Sequence, residues 1–226
     1  LFFFKQNFLS CLYGSEQLMI DCETLDIGER PVLLSIGAVV FDNTQIHDYF
    51  EYFIDKETAI KEGFTVSQST LDWWDQQDPD ARAHAYNGEG DIKEALYALV
   101  HFYQVNGCTE IWSKGALADI RWINNALDHF GIERPWKYYK EFCFRTLLKT
   151  VPKFDLPFVG MPHNALDDAV HQAKQFIHIK TIQSKQSQIL IEQGQRFNEM
   201  AQKVADLEFK LLQKDEDCNR ILFVDL

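Results

Sequence analysis

The stretch "LMIDCETLD", residues 18–26, places two acidic side chains at the end of an apolar run. The apolar residues that open it predict a buried β-strand. Residues two apart in a strand point to the same face, so Asp21 and Glu23 project together while Cys22 faces the opposite side. Neighbouring carboxylates repel each other unless a cation lies between them, and oxygen ligands suit Mg²⁺ or Mn²⁺. The alternative is a pair of solvated acids at the strand end.

The residues around this stretch predict an α/β domain. Two further apolar or alternating runs follow it after short polar turns, which indicates a three-stranded meander. Helical periodicity then alternates with short strands, and the order β-β-β-α-β-α-β-α predicts a mixed sheet flanked by helices. The predicted strands are at 17–22, 30–42, 46–55, 109–115 and 142–146, and the helices are at 67–77, 78–86, 90–107, 116–131 and 162–179.

The C-terminal part has a different pattern. Apolar residues recur every seven positions at Leu190, Phe197, Val204 and Leu211, with two more between them. This heptad pattern predicts a coiled coil and self-association as a homodimer, and the alternative is a long amphipathic helix that folds back on its own domain. We therefore divide the chain into an N-terminal extension (1–17), an α/β domain (18–182) and a helical C-terminal extension (183–226).

Composition limits the classes of protein that remain. The chain has 226 residues and a formal net charge of −12, which argues against broad, non-specific binding to duplex nucleic acid. No stretch approaches the roughly 18 to 20 consecutive apolar residues of a membrane span, and the first residues lack the basic start of a signal peptide. The five cysteines have no zinc-ligand spacing, so reduced thiols in the cytoplasm are expected.

Two more places along the chain carry candidate site residues. Asp119 is predicted at the start of a helix that follows a strand, and a helix-capping acid is its alternative role. In "PHNALDDAVHQA", His163 precedes a helix and Asp168 lies in its early turns. Asp167 points about 100° away from Asp168 around the helix and is interpreted as solvated. The first helical turns could bring Asp168 to a metal ion and leave His163 in the loop over the reacting centre.

The arrangement D-x-E … D … H-x-A-L-x-D resembles the DEDDh branch of the DnaQ-like 3′→5′ exonucleases, which have a ribonuclease H-like fold. "MIDCETL", "IWSKGALADI", "FRT" and "HNALDDAVHQAK" are similar to the phage and prophage exonucleases labelled exodeoxyribonuclease VIII and to the ribonuclease AS-like exoribonuclease domain. The resemblance covers about residues 18–182.

The resemblance implies a role for each site residue. Asp21, Glu23 and Asp168 would bind one Mg²⁺ or Mn²⁺ ion, and Asp21 would bridge to a second ion supported by Asp119. His163 would be the general base. Two departures from the family pattern concern substrate fit, namely Ala118, where relatives usually have Phe, and Cys143, where relatives often have Asp; neither removes a metal ligand.

The expected reaction is removal of nucleoside 5′-monophosphates from the 3′ end of single-stranded DNA or RNA, with DNA slightly favoured. Basic and aromatic residues interleave in "RPWKYYKEFCFRTLLKTVPK", which favours contacts with a single strand. Of the neighbouring Trp73 and Trp74, one is expected in the core and one at the terminal base. A catalytically inactive binding protein on the same fold is the alternative function. We assign substrate contacts to Thr24, Trp74, Trp112 and Arg145.

Overall fold

The computed structural model describes the backbone of residues 16–222 and the side chains of residues 16–214. Most of the predicted N-terminal extension, residues 1–15, therefore lies outside the described residues. The chain divides into two units, one up to Lys180 and one from Thr181 onward. No helix in the described part is long and apolar enough to cross a membrane.

The first unit is built on a five-stranded mixed sheet, as the sequence predicts. The first three strands form an antiparallel meander, and the last two lie parallel to β1. The spatial order is β3-β2-β1-β4-β5, so the strand with the two acids is central. The strands are β1 (Gln17–Thr24), β2 (Leu33–Phe41), β3 (Ile46–Phe53), β4 (Glu110–Ser113) and β5 (Glu141–Cys143).

Seven α-helices accompany the sheet in the described residues. Their N-terminal caps explain several starts, since the side chains of Asp55, Ser67, Asp78 and Asp91 each accept a hydrogen bond from the first helical turn. The helices are α1 (Lys56–Lys61), α2 (Gln68–Trp74), α3 (Pro79–Tyr86), α4 (Ile92–Val105), α5 (Asp119–His129), α6 (Phe144–Leu148) and α7 (Ala165–Leu222).

Two elements differ from the sequence prediction. Helix α1 was not predicted, because six residues are too few to show helical periodicity. Strand β5 is shorter than predicted, since its ladder with β4 covers only three pairs, from Glu141 to Cys143. The last three residues of the predicted strand begin helix α6 instead.

Alternation along β1 separates two apolar cores. Leu18, Ile20 and Cys22 contribute to the larger core, which includes residues of α4 and α5. Met19, on the other face, contributes to a second core formed with α7, where Phe176 is almost fully buried. The side chains of Asp21 and Glu23 are on the α7 face, as the period of two predicts.

Gly37 allows the start of α7 to approach the sheet. It pairs with Asp21 in the β1–β2 ladder. A Cβ atom built at Gly37 would lie 2.1 Å from the carbonyl carbon of Ala165, which is shorter than real contacts allow. The absence of a side chain at position 37 therefore sets the distance between the first turn of α7 and the acidic end of β1.

Helix α7 continues as the second unit of the chain. It is 58 residues long, and every side chain described from Ser184 to Lys214 is exposed. The heptad side chains described in this unit are therefore exposed.

The close approach at Gly37 yields a stability prediction. We expect Gly37→Ala to lower the free energy of unfolding by about 1–3 kcal/mol, because the added methyl group must displace backbone of α7. Thermal and urea unfolding followed by circular dichroism would measure the loss. Gly194→Ala is the matched control, since a Cβ there meets nothing within 4 Å. Equal stability of both variants would contradict the packing described.

Candidate active site

Three carboxylates from two distant segments meet at the end of β1. Asp21 and Glu23 come from the strand, and Asp168 comes from the first turns of α7. One oxygen atom of each lies within 4.8 Å of the others, a grouping that could hold a metal ion. The cluster forms because α7 packs on the same sheet face to which the two strand acids point. The structure therefore brings these three predicted residues together.

Asp119 is the fourth acid of the site. It is the first residue of α5 and is only 7% exposed. Its Oδ1 accepts a hydrogen bond of 3.3 Å from the backbone N–H of Cys22, the residue between the two strand acids. Asp119 thus reaches the cluster from the opposite side of β1 and contributes to the electrostatics of Asp21.

Burial raises the pKa of all four acids, and repulsion by neighbouring carboxylates also raises the pKa of Asp21 and Glu23. Burial raises the pKa of Asp21 well above its usual range, and the charges of Asp119, Glu23 and Asp168 raise it further. Burial and the same kind of repulsion also raise the pKa of Glu23 well above its usual range. Four buried carboxylates are costly when ionised together, and nearby cations would offset that cost.

The pKa values of Asp119 and Asp168 are raised less, because hydrogen bonds or nearby positive charges stabilise their ionised forms. Burial raises the pKa of Asp119 to about 6, and backbone hydrogen bonds, including that from Cys22, limit the rise. Burial raises the pKa of Asp168, while the backbone N–H of His163 and nearby positive charge lower it. The donor set consists of hard oxygen ligands, which fits Mg²⁺ or Mn²⁺ better than soft metals.

Gln172 is a residue of the site that the sequence analysis missed. Its Nε2 donates a 2.8 Å hydrogen bond to Oδ1 of Asp21, and its side chain is almost fully buried. Its Oε1 has no hydrogen-bond partner in the described residues. Gln172 follows Asp168 by four residues, so helical spacing on α7 was the signal that could have identified it.

His163 lies directly beside the acid cluster. Its φ of 63° is in the left-handed region, where residues other than glycine are uncommon and often functional. The backbone N–H of His163 donates a 3.1 Å hydrogen bond to Oδ2 of Asp168, which ties the loop to the cluster. Its imidazole packs edge-on against Trp73, with 4.9 Å between ring centroids.

The loop that holds His163 is fixed by its neighbours. Oδ1 of Asn164 caps α7 by accepting a 2.8 Å hydrogen bond from the backbone N–H of Asp167, and its Nδ2 donates to Oε1 of Glu51 at 2.8 Å. Asp167, interpreted from sequence as solvated, instead accepts a 2.8 Å hydrogen bond from the backbone N–H of Met161. These contacts hold His163 in place from both sides.

A cleft of about 500 Å³ opens at the acids. Lys114 and Arg145 bring positive charge to its wall, and Thr24 lines it as predicted. Trp73, which is 40% exposed, offers an aromatic surface in the same cleft. Binding of a single nucleic-acid strand uses positive charge near the phosphates and an aromatic surface for the bases. This cleft contains both, beside acids that could hold cations.

Two predicted substrate contacts need correction. The prediction for Trp74 is wrong, because its side chain is fully buried and its indole N–H donates a 2.9 Å hydrogen bond to the carbonyl of Thr24. Trp73 is therefore the tryptophan at the cleft. Trp112 stacks on Phe142 at 4.7 Å and packs against the second core, so the structure places it away from the cleft lining.

The basic and aromatic stretch is less available than its composition suggests. Trp136 is buried, Arg134 pairs with Asp128, and Lys140 pairs with Glu110 at 3.0 Å. These partners reduce the positive charge offered to phosphates.

Comparison with known proteins agrees with this geometry. The chain matches the family model of the 3′-5′ exoribonuclease Rv2179c-like domain over residues 16–180. An exodeoxyribonuclease of Enterobacteria phage T4 is 24% identical over 198 residues, which cover 72% of this chain and 86% of the phage protein. The nuclease domain of 3′hExo, a DEDDh family member crystallised with rAMP, superposes with a TM-score of 0.51 at 15% identity, covering 76% of this chain and 93% of that domain.

The mixed sheet, its flanking helices and the acid cluster define a 3′-5′ exonuclease of the DEDDh class with a ribonuclease H-like fold. The chain belongs to the family of 3′-5′ exoribonuclease Rv2179c-like domains. The resemblance noted in the sequence is thereby confirmed.

The raised pKa of Asp119 predicts a pH-dependent gain in stability for Asp119→Asn without metal. Folding raises this pKa from 3.8 to about 6, so the folded state binds the proton more tightly than the unfolded state. The stabilisation is fully present below about pH 4 and is lost as the pH rises through 6. The asparagine keeps the acceptor for the Cys22 N–H but cannot ionise. In EDTA, we expect the difference in free energy of unfolding between Asp119→Asn and the wild type to shift in favour of the variant by about 2–3 kcal/mol from pH 4 to pH 7.

Urea unfolding at both pH values would measure this difference. Mg²⁺ at pH 7 should reverse the ranking, because the ionised wild-type site gains a ligand that the variant holds less well. A difference that does not change with pH would contradict the electrostatic account of Asp119.

Proposed function

We propose that this exonuclease hydrolyses single-stranded nucleic acid stepwise from the 3′ end and releases nucleoside 5′-monophosphates with the help of two divalent cations, Mg²⁺ or Mn²⁺. The observation that carries the proposal is the approach of Asp21, Glu23 and Asp168 oxygens to within 4.8 Å of one another. Such a cluster of buried carboxylates is stable in its ionised form only with cations.

Each acid has a proposed role. Asp21, Glu23 and Asp168 would hold one cation, and Asp21 and Asp119 would hold the other. When bound, the cations neutralise charge on the attacked phosphate and on the departing oxygen. Gln172 fixes the orientation of the Asp21 carboxylate through its 2.8 Å hydrogen bond.

His163 is the proposed general base. An imidazole can accept a proton from a water molecule near neutral pH, and this ring lies in a loop whose backbone N–H bonds to Asp168. Edge-on packing against Trp73 restricts rotation of the imidazole. The base is therefore held next to the acids that would hold the cations, and its proton uptake activates water for in-line attack.

The cleft residues position the strand. Trp73, Lys114, Arg145 and Thr24 all line the cleft. In the proposed complex, Trp73 would stack on the terminal base, and Arg145 and Lys114 would contact phosphates. The narrow basic surface beside a chain of net charge −12 favours a single strand over a duplex.

Single-stranded DNA is the proposed preferred substrate. The phage T4 relative, matched over 86% of its length, is described as an exodeoxyribonuclease. RNA is the second candidate, favoured by the description of the family as an exoribonuclease domain. The set of acids serves both substrates, since the cations that it would hold contact phosphate rather than the sugar 2′-hydroxyl.

We also propose that residues 18–182 form the complete catalytic domain and that the protein works in the cytoplasm. Cys22, Cys108 and Cys143 are free thiols in the structure, which suits a reducing compartment.

An exonuclease assay with a matched pair of variants tests the function. Single-stranded DNA and RNA of one sequence, labelled at the 5′ end, should shorten stepwise with Mg²⁺ or Mn²⁺ and remain intact in EDTA. We expect Asp168→Asn to lose activity by a factor of about 10² or more, because it removes a cluster carboxylate. Asp167→Asn keeps the acceptor for Met161 and should retain activity. Internal cleavage, 3′-phosphate products or activity in EDTA would contradict the proposal.

The substitution His163→Asn removes the imidazole and keeps the backbone conformation at this position. Asparagine tolerates positive φ, so the loop and its hydrogen bond to Asp168 should remain and the melting temperature should change little. We expect kcat to fall by about 10²–10⁴, with loss of the acidic limb of the pH–rate profile. An unchanged pH–rate profile would assign the proton transfer to another group.

A further inference from the structure

The second unit of the chain exposes an apolar stripe. Six side chains along the 22 residues from 190 to 211 of α7 are each more than half exposed, and large exposed apolar patches are uncommon on monomeric proteins. They are Leu190 (67%), Phe197 (70%), Met200 (63%), Val204 (54%), Leu207 (60%) and Leu211 (64%).

The spacing of the stripe is that of a coiled coil. With Leu190 at heptad position a, the other residues with sevenfold spacing also occupy a. The d positions are Gln193, Met200 and Leu207, so the first heptad has one polar core residue. Positions a and d face the partner helix in a coiled coil. Val204 at a with Leu207 at d is the combination that favours two strands in a parallel coiled coil.

The charges beside the stripe distinguish the two possible directions of the partner. The g positions are Arg196, Lys203 and Lys210, and the e positions are Ala201 and Glu208. In a parallel, in-register pair, Lys203 of one copy faces Glu208 of the other. In an antiparallel pair, g faces g, so the basic residues would oppose one another.

We propose that α7 of one copy pairs with α7 of a second copy as a parallel, in-register coiled coil, with residues 190–211 as the interface. Apolar burial along a and d stabilises the pair, and the attraction between Lys203 and Glu208 sets its direction. Since each catalytic domain precedes the coiled coil in the chain, both enter it from the same end.

Two phenylalanines on the same helix provide a matched test of the interface. Phe197 is on the stripe, whereas Phe209 is at position f on the opposite side and is similarly exposed, at 62%. Sedimentation equilibrium of the full chain should give twice the 26.4 kDa mass of one copy for the wild type and for Phe209→Gln. Phe197→Gln should weaken dimerisation about a hundredfold or more.

Charge exchange tests the direction. Lys203→Glu should weaken the dimer several-fold, because Glu would face Glu208, and adding Glu208→Lys should restore it. In an antiparallel dimer Lys203 would not face Glu208, so adding Glu208→Lys would not reverse the effect of Lys203→Glu. Circular dichroism and exonuclease activity would check that each variant remains folded.

Three results would overturn the proposal. The wild type could sediment as a monomer or as a species larger than a dimer, the two Phe variants could dissociate equally, or Lys203→Glu could tighten the dimer. None of these outcomes affects the proposed exonuclease chemistry, which rests on residues of the first unit.

Discussion

Repulsion among four buried carboxylates is the constraint on which the rest of the structure depends. Burial alone raises the pKa of each acid, and the charges of the neighbours raise those of Asp21 and Glu23 further. A protein gains nothing in stability from such a cluster, so it is retained for chemistry. The proposed cations would favour the ionised carboxylates over the protonated ones, because their positive charge offsets the repulsion. The polar partners nearby, Gln172 on Asp21 and the backbone N–H of Cys22 on Asp119, hold the carboxylates in place before any cation arrives.

The fold meets this constraint by combining three ordinary features. Alternation along β1 directs two acids to one face and Cys22 to the larger core. Gly37, the ladder partner of Asp21, lets the first turn of α7 approach the sheet and deliver Asp168. The left-handed conformation of His163 turns the chain into that helix and directs a backbone N–H at the same carboxylate. The site is thus assembled where a central strand meets the start of one helix.

Much of this arrangement could be predicted from the sequence because it depends on local periods. The strand period places Asp21 and Glu23 together, and the helix period separates Asp168 from Asp167. What could not be predicted depends on distant partners. Trp73 and Trp74 are adjacent and chemically alike, and only packing against the Thr24 end of β1 decides that Trp74 is buried. Lys140 appeared free in sequence, but its partner Glu110 lies 30 residues earlier, on the neighbouring strand. Trp112 likewise packs with Phe176 of α7, which the sequence places far away.

Manganese binding tests the central claim most directly, since Mn²⁺ is paramagnetic and can be counted without any substrate. Titration of the full chain, followed by electron paramagnetic resonance, should show two Mn²⁺ ions per chain at neutral pH. Asp21→Asn, which removes the carboxylate proposed to bridge both ions, should lower the affinity for both. If the wild type binds no Mn²⁺, or if Asp21→Asn binds it as tightly as the wild type, the carboxylates are not held together for cations and the account of the site is wrong.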